Sequence, residues 1–243
     1  MRTQMPDIRR KAEVLAAIAS LTAEQHNRLR VEGASNSKYW NDDGKDATLI
    51  ATFRAELKRY YYFRQLRLCC YCSKTLDEHQ ATYDAEHILD KDTHPQFMFE
   101  PENLAAACKT CNGAKSNKCV LGNIVALVAI PAESDCYVIV HPHLDEWQDH
   151  LTYDGIGRVL PKVDSSKGTM TIEMCGINYL NSARLADHFC PGDNEVAQRA
   201  LEGYYRVKSV TWKRKYLKIL RTIANDYDLA QAKSIVDLLE TNM

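Results

Sequence analysis

Two C-x-x-C pairs constrain the fold of this chain more than any other feature of its sequence. Cys69 and Cys72 form the first pair, and Cys108 and Cys111 form the second. Each pair can present two thiolates from one tight turn, and four thiolates complete the tetrahedral coordination of a zinc ion. Such a closed site leaves no position for a substrate, so we expect structural zinc. In small zinc peptides it contributes about 10–16 kcal/mol, enough to decide whether a loop-rich segment folds.

The other cysteines do not share this spacing. The chain has nine cysteines, and an odd number with zinc-type spacing favours a reducing compartment over a disulfide framework. Cys70 is the ambiguous one, because a single residue separates it from Cys72. We interpret the five cysteines outside the two pairs as free thiols in or near the core: Cys70, Cys119, Cys136, Cys175 and Cys190.

We expect a soluble, cytoplasmic protein. The sequence shows no signal-peptide pattern, and its longest apolar stretch, residues 119–132, is interrupted by polar residues, glycine and proline and is too short to cross a bilayer. The 31 basic and 32 acidic residues give a formal net charge of −1, so the field of the whole molecule does not attract nucleic acid. Contact with DNA or RNA must come from a local basic surface or from a partner protein.

The spacing of apolar residues and turn signals predicts an α+β protein that is mostly α. A helix is predicted over residues 6–30, restarted by a capping box at Thr22 and Gln25, and a second helix begins after Asp46 and runs to about residue 66. Further strands are expected at residues 81–89, 136–140, 158–160 and 169–174, and further helices from Asn112 to about residue 128, at residues 181–188 and at residues 194–243.

Four polar residues between and beside the cysteine pairs form a pattern with catalytic potential. The predicted strand ends in Glu86 and His87, Asn103 precedes the second pair, and Asn112 follows it at once. A lone histidine in a strand is usually a surface or satisfied core residue, but the acid before His87 and the two asparagines reverse that expectation. A neutral imidazole can take a proton from water near pH 7, and a carboxylate with an amide oxygen suits a hard cation such as Mg²⁺.

These residues resemble the HNH, or ββα-metal, nuclease family in its zinc-knuckle form, over residues 68–118. The resemblance implies that His87 activates water, that Glu86 and Asn112 bind a catalytic Mg²⁺ or Mn²⁺ ion, and that Asn103 orients the histidine. It also implies hydrolysis of phosphodiester bonds to 5′-phosphate and 3′-hydroxyl ends. We expect an N-terminal helical region at residues 1–66, an HNH core with the zinc knuckle at residues 67–130, and a C-terminal strand and helix region at residues 131–243.

Three departures from the family pattern leave the catalytic metal open. Glu86 stands where aspartate or histidine is more usual, and Asn112 stands where histidine is more usual. Residues 89–91 contain no proline, although the family usually has one there. Asp90 and His94 are candidates for an additional ligand.

Candidate nucleic-acid contacts lie on three predicted helices. One helix precedes the first cysteine pair and carries arginines interleaved with tyrosines; another follows the second pair, where a lysine one turn along can hold a phosphate. The third contains the basic run at residues 204–221. For each, the alternative is a solvated helix surface. The candidates are Arg64 and Arg67, Lys115, and Lys213 and Arg214.

The C-terminal part has a weaker resemblance, to HNH proteins of bacterial anti-phage systems. The similarity is to Septu-type and retron-associated proteins that work beside an ATPase, and it rests on residues 140–151 and 167–178. It implies an ATPase partner, which would also bring a nearly neutral nuclease to nucleic acid. His141, His143 and His150 are a candidate second metal site, although such histidines more often cap and pack.

Our leading hypothesis is a metal-dependent HNH endonuclease that acts on DNA as the effector of a prokaryotic defence system. The alternative from another class is a catalytically silent zinc-knuckle module that recruits DNA or a protein. A third interpretation, restriction of modified or foreign DNA without a partner, predicts cutting that depends on sequence or modification. Zinc needs none of the four polar residues of the motif, so their presence favours an enzyme. The sequence leaves open DNA versus RNA, the activating signal and the number of copies.

Overall fold

The computed structural model describes residues 11–122, 127–189 and 195–243, which form an α+β, mostly helical protein. Besides short 3-10 turns, the α-helices and β-strands in these ranges are α1 (Ala23–Ser35), α2 (Ala47–Arg64), β1 (Tyr83–His87), β2 (Leu104–Cys108), α3 (Lys109–Lys115), α4 (Trp147–His150), β3 (Leu151–Tyr153), β4 (Val159–Pro161), α5 (Ser166–Met174), α6 (Ile177–Ala186), α7 (Glu195–Arg206), α8 (Val210–Asp226) and α9 (Ala230–Thr241). The strands pair as β1 with β2 and β3 with β4. Among these helices, none is long and apolar enough to span a membrane.

The chain divides into two units. The first runs to Leu151 and includes Pro161–Cys175, and the second consists of Thr152–Leu160 and Gly176–Met243. The two cysteine pairs and the residues of the HNH-like motif all belong to the first unit. The basic run at residues 204–221 belongs to the second.

The segment at residues 11–21 is irregular, although a helix is predicted there. The backbone N–H groups of Ala19 and Ser20 donate to the Glu56 carboxylate over 2.5 and 2.8 Å. In a helix these donors would bond to carbonyls four residues earlier. The prediction is therefore wrong for residues 11–21, and its residues 6–10 lie outside the described residues.

Both predicted helix starts are confirmed. Thr22 precedes α1 and forms a capping box, in which the Gln25 N–H donates to the Thr22 hydroxyl at 3.2 Å and the Thr22 N–H donates to the Gln25 side chain at 2.8 Å. Asp46 precedes α2, but its carboxylate accepts the Tyr39 hydroxyl and pairs with Arg28 at 2.5 Å instead of capping. Tertiary contacts thus anchor the start of α2.

The end of α2 delivers the chain to the first cysteine pair. The helix ends at Arg64, close to the predicted end at residue 66. Leu66 and Arg67 then adopt the left-handed conformation, with φ of 55° and 63°. This turn reverses the chain after the helix and leads it into the segment that starts at Cys69.

β1 and β2 are antiparallel neighbours. Tyr83 lies opposite Cys108, and His87 lies opposite Leu104. β1 confirms the strand predicted at residues 81–89. α3 follows β2 directly, so two strands and a helix succeed one another around the motif.

The edge of β2 is completed by a side chain. The Gln65 amide donates to the Ala106 carbonyl at 2.8 Å and accepts the Ala106 N–H at 2.8 Å. The Cys70 N–H also donates to the same carbonyl, at 3.0 Å. All five residues of β2 are buried, so these bonds satisfy backbone groups that water does not reach.

α3 is shorter than the sequence predicts. It ends at Lys115, and Ser116 has a positive φ of 49°, which departs from helical backbone geometry. The helix expected to run to about residue 128 is therefore wrong for residues 116–122. Residues 123–126 of that prediction lie outside the described residues.

Two strands predicted in the first unit are absent from the described structure. Residues 169–174 lie in α5, whose first turn is capped by the Ser165 hydroxyl accepting the Gly168 N–H at 3.0 Å. A Cβ on Gly168 would lie 2.1 Å from the His150 carbonyl oxygen, so a close tertiary approach fixes this helix. Residues 136–140 contain one isolated bridge instead of a strand.

The second unit is helical around one apolar core. Buried residues of α6 to α9 form it, among them Leu185, Leu201, Leu217 and Ile235. β4 corresponds to the strand predicted at residues 158–160, and α6 corresponds to the helix predicted at residues 181–188. α7 to α9 correspond to the helix predicted at residues 194–243. Cys190 and residue 194 lie outside the described residues.

Candidate active site

Four cysteine sulfurs lie together in the first unit. The Sγ atoms of Cys69, Cys72, Cys108 and Cys111 are all within 4.8 Å of one another, and all four residues are buried. Cys70 is buried nearby but is not a member of this group. In the described ranges no other set of histidine, cysteine or carboxylate groups reaches metal-binding proximity. Four thiols in this arrangement fit a zinc ion.

Tight turns position the two cysteine pairs. The Cys69 N–H donates to the Lys74 carbonyl at 2.9 Å, and the Ser73 N–H donates to the Cys69 carbonyl at 3.1 Å. Ser73 has a left-handed φ of 56°, which closes the first turn. In the second pair, the Cys111 N–H donates to the Cys108 sulfur at 3.5 Å at the start of α3. Helix capping and metal-ligand placement therefore share the same sulfur.

His87 lies at the end of β1 with its two ring nitrogens in different environments. Nε2 lies 3.1 Å from the Met98 carbonyl, and because a carbonyl only accepts, Nε2 carries the proton of the neutral ring. No described residue hydrogen-bonds Nδ1, which is therefore left as an unprotonated acceptor. His87 is 8% exposed and lines a cavity that opens to solvent.

Burial keeps the His87 imidazole neutral. The Trp40 ring packs edge-on against it, with 4.5 Å between ring centroids. Desolvation lowers the pKa of His87 to about 3, against the opposing effect of its hydrogen bond to Met98. The ring is therefore a free base at neutral pH. No signal in the sequence identifies Trp40, which precedes α2.

Asn103 fixes the loop that follows His87. Its Oδ1 accepts the Leu89 N–H at 2.8 Å, and its Nδ2 donates to the carbonyls of Leu89 and Phe97 at 3.0 and 3.1 Å. The Ile88 N–H also donates to the Asn103 carbonyl at 2.9 Å. Asn103 thus holds the backbone beside His87.

Glu86 is buried and forms an ion pair. Its Oε1 lies 2.7 Å from the Lys115 ammonium and accepts the Tyr71 hydroxyl at 3.2 Å. Desolvation raises the pKa of Glu86 to about 7, although Lys115 acts in the opposite direction. Lys115 also donates to the His87 carbonyl at 2.8 Å. The expectation that Lys115 contacts a phosphate at the surface is not met here, because the side chain is fully buried and paired.

Asn112 completes a set of contacts between β1 and α3. Its Nδ2 donates to Asp84 at 2.8 Å, and Asp84 also pairs with Lys109 at 2.6 Å. Asp84 and Glu86 are two residues apart on a strand, and their partners Asn112 and Lys115 are three apart on a helix. Alternate strand residues share a face, as do helix residues about one turn apart. Asp84 and Glu86 therefore face Asn112 and Lys115 across the contact between β1 and α3. Alternation along β1 was the signal that could have identified Asp84.

One cavity of about 200 Å³ is lined by three of the four motif residues, Glu86, His87 and Asn112, but not by Asn103. Asp90 lines it, and its Oδ1 accepts the N–H groups of Asp92 and Thr93 at 3.0 and 2.9 Å. Asp90 therefore remains a candidate ligand, whereas His94 is not among the lining residues. The lining comprises Glu86, His87, Asp90, Lys91, Asp92, Asn112, Ser116 and Asn117.

The remaining candidate nucleic-acid contacts lie on helix surfaces. Arg64 ends α2 and Arg67 follows it; both are exposed, and their guanidinium groups lie over aromatic rings of α2. Lys213 and Arg214 lie on α8; Lys213 is 5.0 Å from the ring centroid of Tyr204, and Arg214 is exposed.

The C-terminal histidines pack rather than gather around a common point. His143 lies between two carbonyls, with Nδ1 2.9 Å from that of Ala12 and Nε2 2.8 Å from that of Leu104. His141 accepts the His143 N–H at 3.2 Å. In the described residues these side chains form no metal-binding group.

Comparison with known proteins relates the chain to Septu proteins. It is 28% identical over 113 residues to the Septu protein PtuB of Bacillus thuringiensis, a match that covers 46% of this chain and 37% of that protein. It is also 28% identical over 138 residues to the Septu protein PtuA of Bacillus mycoides (strain KBAB4), covering 50% of this chain and 18% of that protein. No family model matches the chain. The matches span less than half the length of each relative, and at 28% identity the sequence similarity to both Septu proteins is low.

Proposed function

We propose that this protein is a metal-dependent endonuclease of the HNH type that hydrolyses phosphodiester bonds of DNA. The observation that carries the proposal is His87, whose Nε2 is held by the Met98 carbonyl and which lines a cavity together with Glu86 and Asn112. A general base needs this combination of a fixed orientation and an unprotonated nitrogen. The strand, strand and helix order around the motif supports the same assignment.

In this proposal His87 takes a proton from the attacking water at Nδ1. The bond to Met98 fixes the tautomer, and Asn103 keeps the loop beside the ring in place. Lys115 holds the His87 carbonyl, so the backbone at the end of β1 does not shift when the ring becomes charged. These contacts orient a base in a site that water can enter.

The oxygen atoms around the cavity fit a hard divalent cation. Carboxylate oxygens of Glu86 and Asp90 and the amide oxygen of Asn112 are ligands that Mg²⁺ and Mn²⁺ accept. When bound, such a cation would stabilise negative charge on the phosphate and the leaving oxygen. The four cysteines fit zinc, which would hold the two turns together without taking part in the reaction.

The proposed biological role is in Septu-type anti-phage defence, beside an ATPase partner. The similarity to PtuB and PtuA supports it over about half of the chain. The nearly balanced charge of the chain supports a partner as well, because the whole molecule has little attraction for nucleic acid.

One observation favours a second candidate, a zinc-knuckle module that binds without catalysis. Two of the proposed cation ligands already have partners inside the protein, since Glu86 pairs with Lys115 and Asn112 donates to Asp84. Glu86 keeps its Oε2 and Asn112 keeps its single amide oxygen, Oδ1, for a cation, but a silent module would show the same contacts. The two candidates differ in whether DNA is cut.

Cleavage of supercoiled plasmid by the purified chain tests the proposal. We expect nicking with added Mg²⁺ or Mn²⁺ and none without either ion, at constant zinc content. Asn112→Ala should raise the cation concentration needed for half-maximal cleavage, whereas Asn117→Ala, which removes another asparagine from the same cavity, should leave it nearly unchanged. Absence of cleavage by the wild type with either ion, with the ATPase partner present or absent, would favour the binding module.

A further inference from the structure

Basic residues are segregated in one part of the second unit. Residues 203–225 carry seven of the 31 lysines and arginines of the chain and none of its 32 acidic residues. Most of this stretch is α8. A chain with a formal net charge of −1 therefore has one strongly basic helix, whose only acidic residue is Asp226 at its end.

α8 directs part of this charge into solvent. Its apolar side packs into the core of the second unit through Leu217, Leu220 and Ala224. Arg214, Lys215 and Lys218 are exposed on the rest of the helix surface. Arg214 and Lys218 are four residues apart, so they lie one helical turn from each other.

The exposed cations of α8 lack acidic partners in the described part of the chain. Arg221, near the end of the helix, pairs with Asp237 and Glu240 at 2.8 Å each. No described carboxylate lies within ion-pair distance of Arg214, Lys215 or Lys218. The uncompensated charge is therefore concentrated in the first half of α8.

An exposed aromatic ring lies beside these cations. Trp212 is 53% exposed, and the Lys215 ammonium lies 3.9 Å from its ring centroid. Exposed aromatic rings among basic residues are typical of nucleic-acid-binding surfaces, where cations meet phosphates and rings contact bases or sugars. Interfaces between proteins are instead depleted in lysine.

We propose that Trp212, Arg214, Lys215 and Lys218, here termed the α8 basic face, form a docking surface for the phosphate backbone of DNA. This inference rests on the proposed function in taking DNA as the substrate. The face supplies binding that needs no divalent cation, because its cations neutralise phosphates directly. It lies in a different unit from the cavity that contains His87.

Binding of a fluorescein-labelled 30-base-pair duplex, followed by anisotropy without added divalent cation, tests the α8 basic face. The test variant is Arg214→Ala/Lys218→Ala. The control is Arg199→Ala/Lys233→Ala, which removes the same charge from the same unit at residues paired with Glu195 and Asp228. Salt titrations of both variants and the wild type give the number of phosphate contacts.

The test variant should bind several-fold more weakly than the wild type, and the slope of log K against log salt should fall by about 1.8, at about 0.9 for each lost contact. The control should keep the wild-type slope. Equal affinity and slope for the two variants would overturn the proposal. Equal competition by poly-L-glutamate at matched charge would also overturn it, because it would assign the face to an acidic protein.

A cleavage assay separates failure of this inference from failure of the proposed function. His87→Ala should bind the duplex like the wild type without cutting it. Loss of binding in Arg214→Ala/Lys218→Ala together with undiminished cutting by His87→Ala would retain the docking surface and contradict the catalytic assignment. Wild-type binding by the α8 variant together with loss of cutting by His87→Ala would overturn the docking surface and support the catalytic assignment.

Discussion

The ammonium of Lys115 lies 2.7 Å from the carboxylate of Glu86 in the interior of the first unit. Lys115 is 0% exposed and Glu86 is 2% exposed, and the same ammonium is 2.8 Å from the His87 carbonyl. One buried cation therefore fixes the side chain of one motif residue and the backbone of the next. α3 is thereby joined to the end of β1.

Removing Lys115 should destabilise the protein strongly. Lys115→Met leaves Glu86 buried without its partner, and breaking a buried pair in this way typically costs about 3–5 kcal/mol. Lys109→Met is the control, because Lys109 pairs with Asp84 at the surface, where a pair contributes at most about 1 kcal/mol. Urea unfolding with zinc present measures both variants. Similar losses in the two variants would show that the buried pair is unimportant.

The double variant Lys115→Met/Glu86→Gln should regain part of the lost stability. With both charges removed, no unpaired carboxylate remains in the interior. The same unfolding experiment gives the coupling between the two residues. A double variant no more stable than Lys115→Met would contradict the ion pair as the source of the effect.

Loss of one cysteine from the four-sulfur group should release zinc and unfold the segment around it. Cys108→Ser replaces a thiolate ligand, and the hydroxyl is a poor zinc ligand. Elemental analysis should find about one zinc per chain in the wild type and much less in the variant, with a lower melting temperature. Cys136→Ser, at an exposed cysteine outside the group, should behave like the wild type. A stable Cys108→Ser protein with full zinc would refute the assignment.

Asn103→Ala should weaken both the fold and cleavage. The substitution leaves the N–H and the carbonyl of Leu89 without their Asn103 partner and removes one of two donors to the Phe97 carbonyl, and we expect a loss of about 2 kcal/mol. Cleavage should fall because the loop beside His87 is no longer held. Asn225→Ala, at an exposed position of α8, is the control. Unchanged stability of Asn103→Ala would show that the loop is held by other contacts.

Acid should destabilise the protein partly through His141. Burial lowers the pKa of His141 to about 3, whereas an unfolded histidine titrates near 6.5. The unfolded chain therefore binds one more proton below about pH 6.5, and the free energy of unfolding falls as the pH drops from there towards 3. Between pH 6.5 and 5 this contribution is about 2 kcal/mol.

His141→Asn measures that contribution, because its side-chain oxygen can still accept the His143 N–H but does not titrate. The unfolding free energy of the variant should fall less steeply than that of the wild type between pH 7 and 5. Parallel pH dependences for the two proteins would contradict the buried neutral state of His141.

Features with local signals were predictable from the sequence. The capping box at Thr22, the end of β1 at His87 and the proximity of the two cysteine pairs each depend on residues a few positions apart or on a specific spacing. The chemistry of the candidate site, however, depends on which strand residues face which helix residues. The sequence therefore carries no signal for the contact of Lys115 with Glu86 and predicts Lys115 at the surface.

Two of the failed predictions share a physical cause. Residues 11–21 have helical spacing, but the carboxylate of Glu56 takes up their backbone donors. The β-branched residues of 169–174 favour a strand, yet the cap at Ser165 and the close approach of Gly168 to His150 give a helix. In both cases a partner distant in sequence overrides local propensity.

The single-turnover rate of DNA cleavage tests the central claim most directly. Wild type, His87→Ala and the exposed-histidine control His79→Ala are compared at saturating duplex with Mg²⁺ or Mn²⁺. If His87 is the general base, His87→Ala should cut about 10²- to 10⁴-fold more slowly, with unchanged zinc content and DNA affinity. His79→Ala should retain the wild-type rate. Equal rates for the wild type and His87→Ala would contradict the account.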